Sequence, residues 1–518
     1  MADGRPQTAA AREELNGNMF RSYNYVGTKE TVAYLFNDWS NSFNINGYKN
    51  RFIWDVVKID FGISAIVGLF TGVWDVVNDI FISALVDNTR TRLGKFRPYL
   101  VMLQIPLSLI GLLYWFLPYF FPNTAGTYVP KLIFYFLFGV ITETAGTFTD
   151  IARAGYMSTI TPNPNERVRL ITLAELLTGW MGEDMPSFIL GILYDFVSTG
   201  RWKAPLRSIF MGMGAGCAVI SCAFTLWFFL ISKERVPQTI ERPNIKEGFM
   251  AIIKNYPVFL MALSDFFGNF AIGMGERDYW IDVHGANTMI NSALAVAGLI
   301  SGPVGSISYA FVAPLRKRFS SKFLWVGADI YGDMLCLIFF LAGIVNRNYS
   351  RLTPMLIVYG FREVFAKLLF GVNKVINADL WNEAMDYCEW KSGYRMEATT
   401  GVAKSLVLKL QGVVKGSVFN LLMKKIGYVQ GLKIGTQTEK TKRWEFILCS
   451  IMPTITGALG IVPKLFWPIN RKTRARMYYE LSERRNSMVA GYVNGVTSGA
   501  DREEYTSQPG ATAGTEKT

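Results

Sequence analysis

Histidine is almost missing from this chain. His284 is the only one in 518 residues, which excludes a multi-histidine metal site and argues against imidazole acid–base chemistry. Charge is scarce too: 18% of residues are Asp, Glu, Lys or Arg, against 50% hydrophobic and 14% aromatic, with a mean hydropathy of +0.21. That balance is too apolar for a soluble chain and fits a polytopic membrane protein. Of the few cysteines, Cys217, Cys222, Cys336 and Cys449 lie in or beside apolar segments and Cys388 in a polar connection. They have no ligand-like spacing, so neither a disulfide framework nor a zinc site is expected. The phosphate-cradling G-x-x-x-x-G-K-[ST] loop of an ATP-driven pump is absent, because the G-K at 94–95 lacks both the upstream glycine and the following Ser or Thr. The carboxylates are spread over several helices without a convincing nucleophile and base, so no enzyme and no cofactor is expected. The polar first 25 residues contain no cleavable signal, leaving the first spanning helix as the insertion signal. A formal charge of +13 would suit nucleic acid in a soluble protein. Here it is assigned to loops and a tail beside a lipid bilayer, and no nucleic-acid partner is expected.

What the chain does have is long apolar runs. Taking roughly 20 residues per span, about twelve are expected, at 30–57, 62–86, 98–121, 130–158, 169–197, 206–231, 255–283, 288–314, 323–346, 353–380, 399–425 and 444–468. The first is interrupted by Asp38, Asn41, Asn44, Asn46, Lys49 and Arg51, which a spanning helix tolerates only where its polar face lines a cavity. Arg90, Arg92, Lys95 and Arg97 follow the second span, and Arg316, Lys317, Arg318 and Lys322 follow the eighth, while the loops before spans four and eight have no Lys or Arg. Both clusters, and with an even number of spans both termini, are therefore expected in the cytoplasm. The basic stretch 471–485 agrees; Lys433, Lys440, Lys442 and Arg443 in the loop 427–443 go against the rule. One basic connection in each half suggests two six-helix bundles, at 30–231 and 255–470. An N-terminal cytoplasmic tail at 1–29, a cytoplasmic linker at 232–254 and a basic, partly disordered tail at 471–518 complete the expected organisation. This is the parallel-repeat arrangement of the major facilitator fold, an all-α polytopic membrane protein.

The most informative segment is 74–100, W-D-V-V-N-D-I-F-I-S-A-L-V-D-N-T-R-T-R-L-G-K-F-R-P-Y-L. Asp75 and Asp79, four residues apart, share one helix face inside a membrane-length apolar run. Carboxylates at that depth are costly and mark an ion or substrate path. Sodium would need several oxygen ligands there, whereas a proton needs one carboxylate, and both remain open. The plainer alternative is a structural salt bridge with an intramembrane Lys or Arg.

The W-D-V-V-N-D of this segment, followed by D-N-T-R-T-R-L-G-K-F-R-P, resembles the helix-two signature of the glycoside-pentoside-hexuronide:cation symporters, the group containing melibiose permease. E-A-M-D-Y-C-E-W-K-S-G-Y-R-M-E at 383–397 is similar to that family's motif D-x-x-D-Y-G-E-W-K-T-G-x-R between helices ten and eleven. I-G-Y-V at 426–429 and smaller echoes at Asp38 and 150–167 extend the resemblance over about residues 30–470. It implies symport of a sugar, glycoside or hexuronide with Na+ or H+ by alternating access, in a plasma or inner membrane, by a monomer. It puts Asp75, Asn78, Asp79 and Thr147 at the family's cation-binding positions, with Asp75 and Asp79 as the metal ligands if the ion is Na+. Asp38 and Asp150 match carboxylates that hydrogen-bond the sugar, and Lys409 matches an intramembrane lysine.

The departures are equally specific. Ile80 stands where the family usually has proline, Glu175 where it has an arginine, Ala154 beside Arg153 where it has a sugar-stacking tryptophan, and Lys374 in place of a helix-ten aromatic. A galactoside site like that of melibiose permease is therefore not expected. Arg153, Lys374 and Lys409 could meet an anionic substrate such as a uronide, or be neutralised by Glu143, Glu175, Glu183 and Asp184 around a neutral glycoside. Lys409 could instead simply pair with Asp75 or Asp79. Arg90, Arg92 and Lys95 are expected to fix orientation and to gate the cytoplasmic face by pairing with Glu389 and Glu397, with Gly94 permitting a tight turn. Trp180, Tyr156 and Trp381 could stack on sugar rings or simply pack. Two alternatives of another kind are a non-transporting sugar sensor and a carrier of a lipid or other organic anion on the same fold.

Overall fold

The polar residues that interrupt the first apolar run also interrupt its helix. The computed structural model describes residues 25–161 (except 90, 92, 93 and 123), 166, 169–171, 173, 174, 178, 184–235, 250, 253–392 (except 287), 397–470, 472–481 and 483. In it, α1 (Thr28–Ser42) ends where the Asn44 amide turns back onto the carbonyls of Asn41 and Ser42. Such a local bond competes with helix continuation. The chain resumes as a 3-10 turn at Asn46–Tyr48 and a π-helical stretch at Phe52–Val57, closed by Lys58 at φ 59°. The expected span 30–57 is thus a helix, a break and a wide turn, and the break carries Tyr48, Arg51 and Asp55 into the interior.

The rest of the first half comprises α2 (Phe61–Asn88), α3 (Arg97–Phe120), α4 (Val129–Ile160), α5 (Asp184–Ser198) and α6 (Leu206–Ile231). Asp60 starts α2 by accepting the N–H groups of Gly62 and Ile63, satisfying two of the free donors at a helix start. The second half comprises α7 (Tyr256–Gly268), α8 (Glu276–His284), α9 (Ile290–Ser308), α10 (Ser321–Ile344), α11 (Leu352–Leu368), α12 (Phe370–Ser392), α13 (Glu397–Ile426) and α14 (Glu439–Leu465).

Among the described residues, eight helices are long and apolar enough to cross a bilayer. The expected spans not among them are the first, fifth, seventh and tenth, each for its own reason. The first is broken and polar, and the fifth falls partly outside the described residues. The seventh is split into α7 and α8. Its break runs against α14, where a Cβ on Gly273 would sit 2.8 Å from the Leu448 carbonyl oxygen, so only glycine passes. The interrupted backbone finds partners on α13, since the Gln411 amide donates to the Phe266 carbonyl and Lys415 to that of Asn269. The tenth carries Arg362, Glu363, Lys367, Lys374 and Asp379, and it is much longer than its expected range. With only Leu369 between them, α11 and α12 run for about 60 Å, roughly twice the hydrocarbon thickness. The motif at 383–392, expected in a polar connection, is therefore a helical extension, and Cys388 is buried in it.

Within the first half α1 packs on α6, α3 on α4 and α6, and α2 on α4; within the second, α10 and α7 pack on α14, and α9 on α11. The halves meet through α2 against α13 and α5 against α9. The first and last described residues, with Lys233–Arg235 of the linker, lie at one end, called the tail end below. There Arg235 binds Glu30 at 2.6 Å, and the Glu234 carboxylate accepts the N–H groups of Lys95, Phe96 and Arg97 at 2.7–2.9 Å. Residues 472–481 form a helix docked on the extension of α12. Arg474 binds Glu383, Tyr478 donates to Asp386 at 3.2 Å, and the Trp390 indole donates to Glu480 at 2.6 Å. Most of the linker, residues 1–24 and residues 484–518 lie outside the described residues, and with them nearly all of the stretches 1–25 and 487–518 expected to be disordered.

The apolar cores are distributed unevenly between the two ends. At the far end one core contains Phe52, Trp115, Tyr194 and Phe210 of the first half with Tyr279, Trp280, Tyr428 and Phe446 of the second. Toward the tail end the cores are separate, one around Phe96, Tyr156 and Phe228 and the other around Trp325, Ile376 and Trp467. The halves are closed on each other at the far end and diverge toward the tail end.

Candidate functional site

Four-residue spacing on α2 brings Asp75 and Asp79 to one face, and that face meets α4 and α13. From α4, the Thr147 hydroxyl lies 3.3 Å from Asp75 Oδ1 and 3.2 Å from Asp79 Oδ1. From α13, in the other half, the Lys409 ammonium lies 3.1 Å from Asp75 Oδ2 and 2.5 Å from Asp79 Oδ2. Asn78 is buried beside them, its Nδ2 without a partner. The expected cation-site residues are therefore adjacent, and the lysine anticipated as their possible partner is that partner. The group is not sealed: the side chains of Asp75, Asp79 and Lys409 are 19%, 22% and 38% exposed. The helix runs unbroken through Ile80, so the missing proline leaves ordinary α-helical geometry.

Two carboxylates facing one ammonium carry one uncompensated negative charge. The Thr147 oxygen lies within 3.3 Å of one oxygen of each carboxylate, a grouping whose chemistry suits a small monovalent cation or a proton. A multi-carboxylate or sulfur–nitrogen metal cage is a different arrangement, and among the described residues no group of three or more His, Cys, Asp or Glu side chains has the geometry to hold a metal ion.

A second polar group lies on α1 and α4. Asp38 Oδ2 accepts the Thr178 hydroxyl at 2.7 Å. The Arg153 guanidinium donates to Asn41 Oδ1 at 3.1 Å, while its Nε is buried without a partner. Ser221 and Thr225 of α6 reach the same Asn41 oxygen at 3.4 and 3.5 Å. Asp150 is exposed one turn before Arg153, and Glu143 is exposed one turn before Thr147. The sequence reading missed Asn41, Thr178, Ser221 and Thr225 as polar neighbours. Asn37 and Asn41, four residues apart in α1, were the available signal, and their side chains do bond each other at 3.2 Å.

The remaining candidates are placed less centrally. Lys374 is exposed on α12, its ammonium 5.9 Å from the Phe370 ring centre. Tyr156 is a packing residue of the first-half core that bonds Ser232 at 2.6 Å. The Lys404 ammonium covers Trp381, 4.3 Å from its ring centre. Glu175, Trp180 and Glu183, the Asp184 and Glu397 side chains, and Arg90 and Arg92 of the expected gate lie outside the described residues. Of that gate, Gly94 has the φ of 111° that a tight turn needs, and Lys95 lies over Phe96, 4.9 Å from its ring centre.

The polar contacts that hold the closed end lie elsewhere. Arg51, 1% exposed, binds Asp55 at 2.9 Å within the first half and Asp282 at 2.6 Å across the boundary. Tyr194 donates to Asp55 at 2.8 Å and Tyr428 to Asp282 at 3.1 Å. Beside them Asp195 of α5 receives Asn291 and Ser292 of α9, and Tyr48 reaches Asn291 at 3.1 Å.

Known proteins resemble this chain over most of its length. A family model described as MFS/sugar transport protein matches residues 32–471. The isoprimeverose transporter of Lactiplantibacillus pentosus is 23% identical over 471 residues, covering 89% of this chain and 92% of that protein. The putative sulfoquinovose importer of Salmonella typhimurium is 23% identical over 496 residues, covering 90% of this chain and 95% of that one. Among solved structures, that of a D-xylose-proton symporter superposes with a TM-score of 0.52 at 11% identity, covering 85% of this chain and 95% of that one; this is a likeness of fold. The chain belongs to the MFS/sugar transport family, membrane carriers of the major facilitator fold and not enzymes.

Proposed function

We propose that the chain is a symporter that moves a sugar, glycoside or hexuronide together with Na+ or H+ by alternating access. The observation that carries this reading is the Lys409 ammonium of the second half, held between the two α2 carboxylates of the first. A cation arriving at those oxygens competes with Lys409, so ion binding and the contact between the halves are linked. Asp75, Asn78, Asp79 and Thr147 offer several oxygens for Na+, and protonation of one carboxylate would serve H+. Substrate is assigned to the space beside Asp38, Asp150 and Arg153. The unpartnered Nε of Arg153 favours, as a second reading, a sugar bearing a carboxylate or sulfonate, because a guanidinium edge binds such groups by paired hydrogen bonds. Arg316 and the basic residues after it lie at the tail end, which supports placing that end, with both termini, in the cytoplasm of a cell membrane. The divergence between the halves then opens inward.

Charge movement in proteoliposomes tests this. Neutral glycosides and uronides are applied in turn, with Na+ present or replaced and at two pH values. A current is expected with one sugar class, abolished by removing Na+ or graded by pH. Silence across the panel in folded protein would overturn symport and shift weight to a sensor or a non-sugar substrate.

A further inference from the structure

The far-end ion cluster holds more acid than base. Asp55 and Asp282 share the single guanidinium of Arg51. Arg277 of α8 stands over the Tyr48 ring, 4.4 Å from its centre. That leaves Asp278 and Glu445, buried at 4% and 0% exposure. Neither Oε of Glu445 has a hydrogen-bond partner, nor does Oδ1 of Asp278. An ionised carboxylate removed from water without a single donor is among the costliest groups a protein can bury, and a neutral one is far cheaper.

The surroundings of Glu445 do not offer it a counter-charge of its own. From α8 it is faced by Asp278, Tyr279 and Asp282, and from the first half by Arg51, already engaged by two carboxylates. Tyr428, beyond the end of α13, donates to Asp282. On its own helix are Cys449, and Lys442, which is paired with Glu439 at 3.3 Å. Opening the far end must draw Arg51 and Asp55, in the first half, away from α8 and α14 in the second. Water then reaches Glu445 and the reason for it to be neutral is gone.

We propose that Glu445 is a proton-binding site of this carrier, separate from the Asp75–Asp79 pair, filled while the far end is closed and emptied when it opens. The site goes beyond the symport reading, since it ties a proton to the gate whichever sugar or coupling ion is carried. The sign follows from which state holds the proton. The closed arrangement binds it and the open one releases it, so closure is favoured at low pH and weakens as pH rises. One linked proton makes the closed-to-open ratio change by about tenfold per pH unit in the range where it titrates.

The test measures distances between spin labels at Lys203→Cys and Arg351→Cys, exposed far-end positions on the two halves, in a chain whose own five cysteines are replaced by alanine. Measured in lipid nanodiscs without substrate, the closed population should fall as pH is raised. In Glu445→Gln, neutral at every pH, it should stay closed with little pH dependence, and Glu445→Leu should behave the same way. Wild-type pH dependence persisting in either variant would overturn the proposal. Because no sugar or coupling gradient is involved, that failure is distinguishable from a failure of symport, which the proteoliposome currents report.

Discussion

Asp79→Asn should insert and fold yet accumulate no substrate against a gradient. Asp79 is the carboxylate closer to Lys409, at 2.5 Å, and it also accepts the Thr147 hydroxyl. Asparagine keeps the size of the side chain and removes its charge. Lys409 then neutralises Asp75, 3.1 Å away, and the uncompensated negative charge that would attract a cation is gone. A unit negative charge about 4 Å from a bound cation attracts it by about 4 kcal/mol at the effective dielectric of about 20 typical near a protein surface. With Asp79 22% exposed, water screening reduces this to about 2–3 kcal/mol, roughly a hundredfold in cation affinity. The measurement is steady-state uptake into proteoliposomes under an imposed Na+ or pH gradient, beside downhill exchange of the same substrate. Uptake should fall to the level set by equilibration, and Asp75→Asn should do the same. Undiminished accumulation in both variants would remove the pair from coupling and leave it a structural salt bridge.

The second large effect concerns Arg51→Ala. In the closed far end this guanidinium serves Asp55 and Asp282 simultaneously while 1% exposed. Its removal leaves two carboxylates facing each other in a dry interface, and the cost of about 3–5 kcal/mol falls on the closed state alone, because water solvates both in the open one. The closed-to-open ratio should therefore drop by about 150-fold to a few thousandfold. The Lys203→Cys and Arg351→Cys label pair reads this as a shift to long distances. Arg51→Lys should recover only part of the closure, since one ammonium cannot fork between two carboxylates as a guanidinium does. If Arg51→Ala stayed closed, the shared aromatic core would be sufficient by itself to hold the far end.

These two predictions rest on residues of very different legibility. Asp75 and Asp79 stand out because their spacing places them on one face and their depth in an apolar run is abnormal. The polar interruptions of the first span were visible for the same reason, but they were read as the cavity-lining face of one helix, whereas the chain breaks there. Arg51 was visible only as one of those interruptions. Its partner Asp282 is 231 residues away, and Glu445 lies on yet another helix, so nothing in local periodicity joins them. The polar neighbours of Arg153 were hidden because serine, threonine and asparagine are unremarked in membrane helices until packing brings them to one point. The family resemblance put the second motif between helices ten and eleven but could not foresee that residues 383–392 would continue as helix, because their polar composition reads equally well as a surface loop.

The helix at 472–481 bears on how the molecule should be handled. Hydropathy alone would end the folded part near residue 470, and an expression design trimmed there would seem harmless. It would strip Arg474 from Glu383, which is 3% exposed, and uncover the seats of Met477 and Leu481. A protein cut at that boundary should be less tolerant of detergent than one ending after residue 483. Reporter domains and purification handles therefore belong beyond the docked helix, not immediately after the last span.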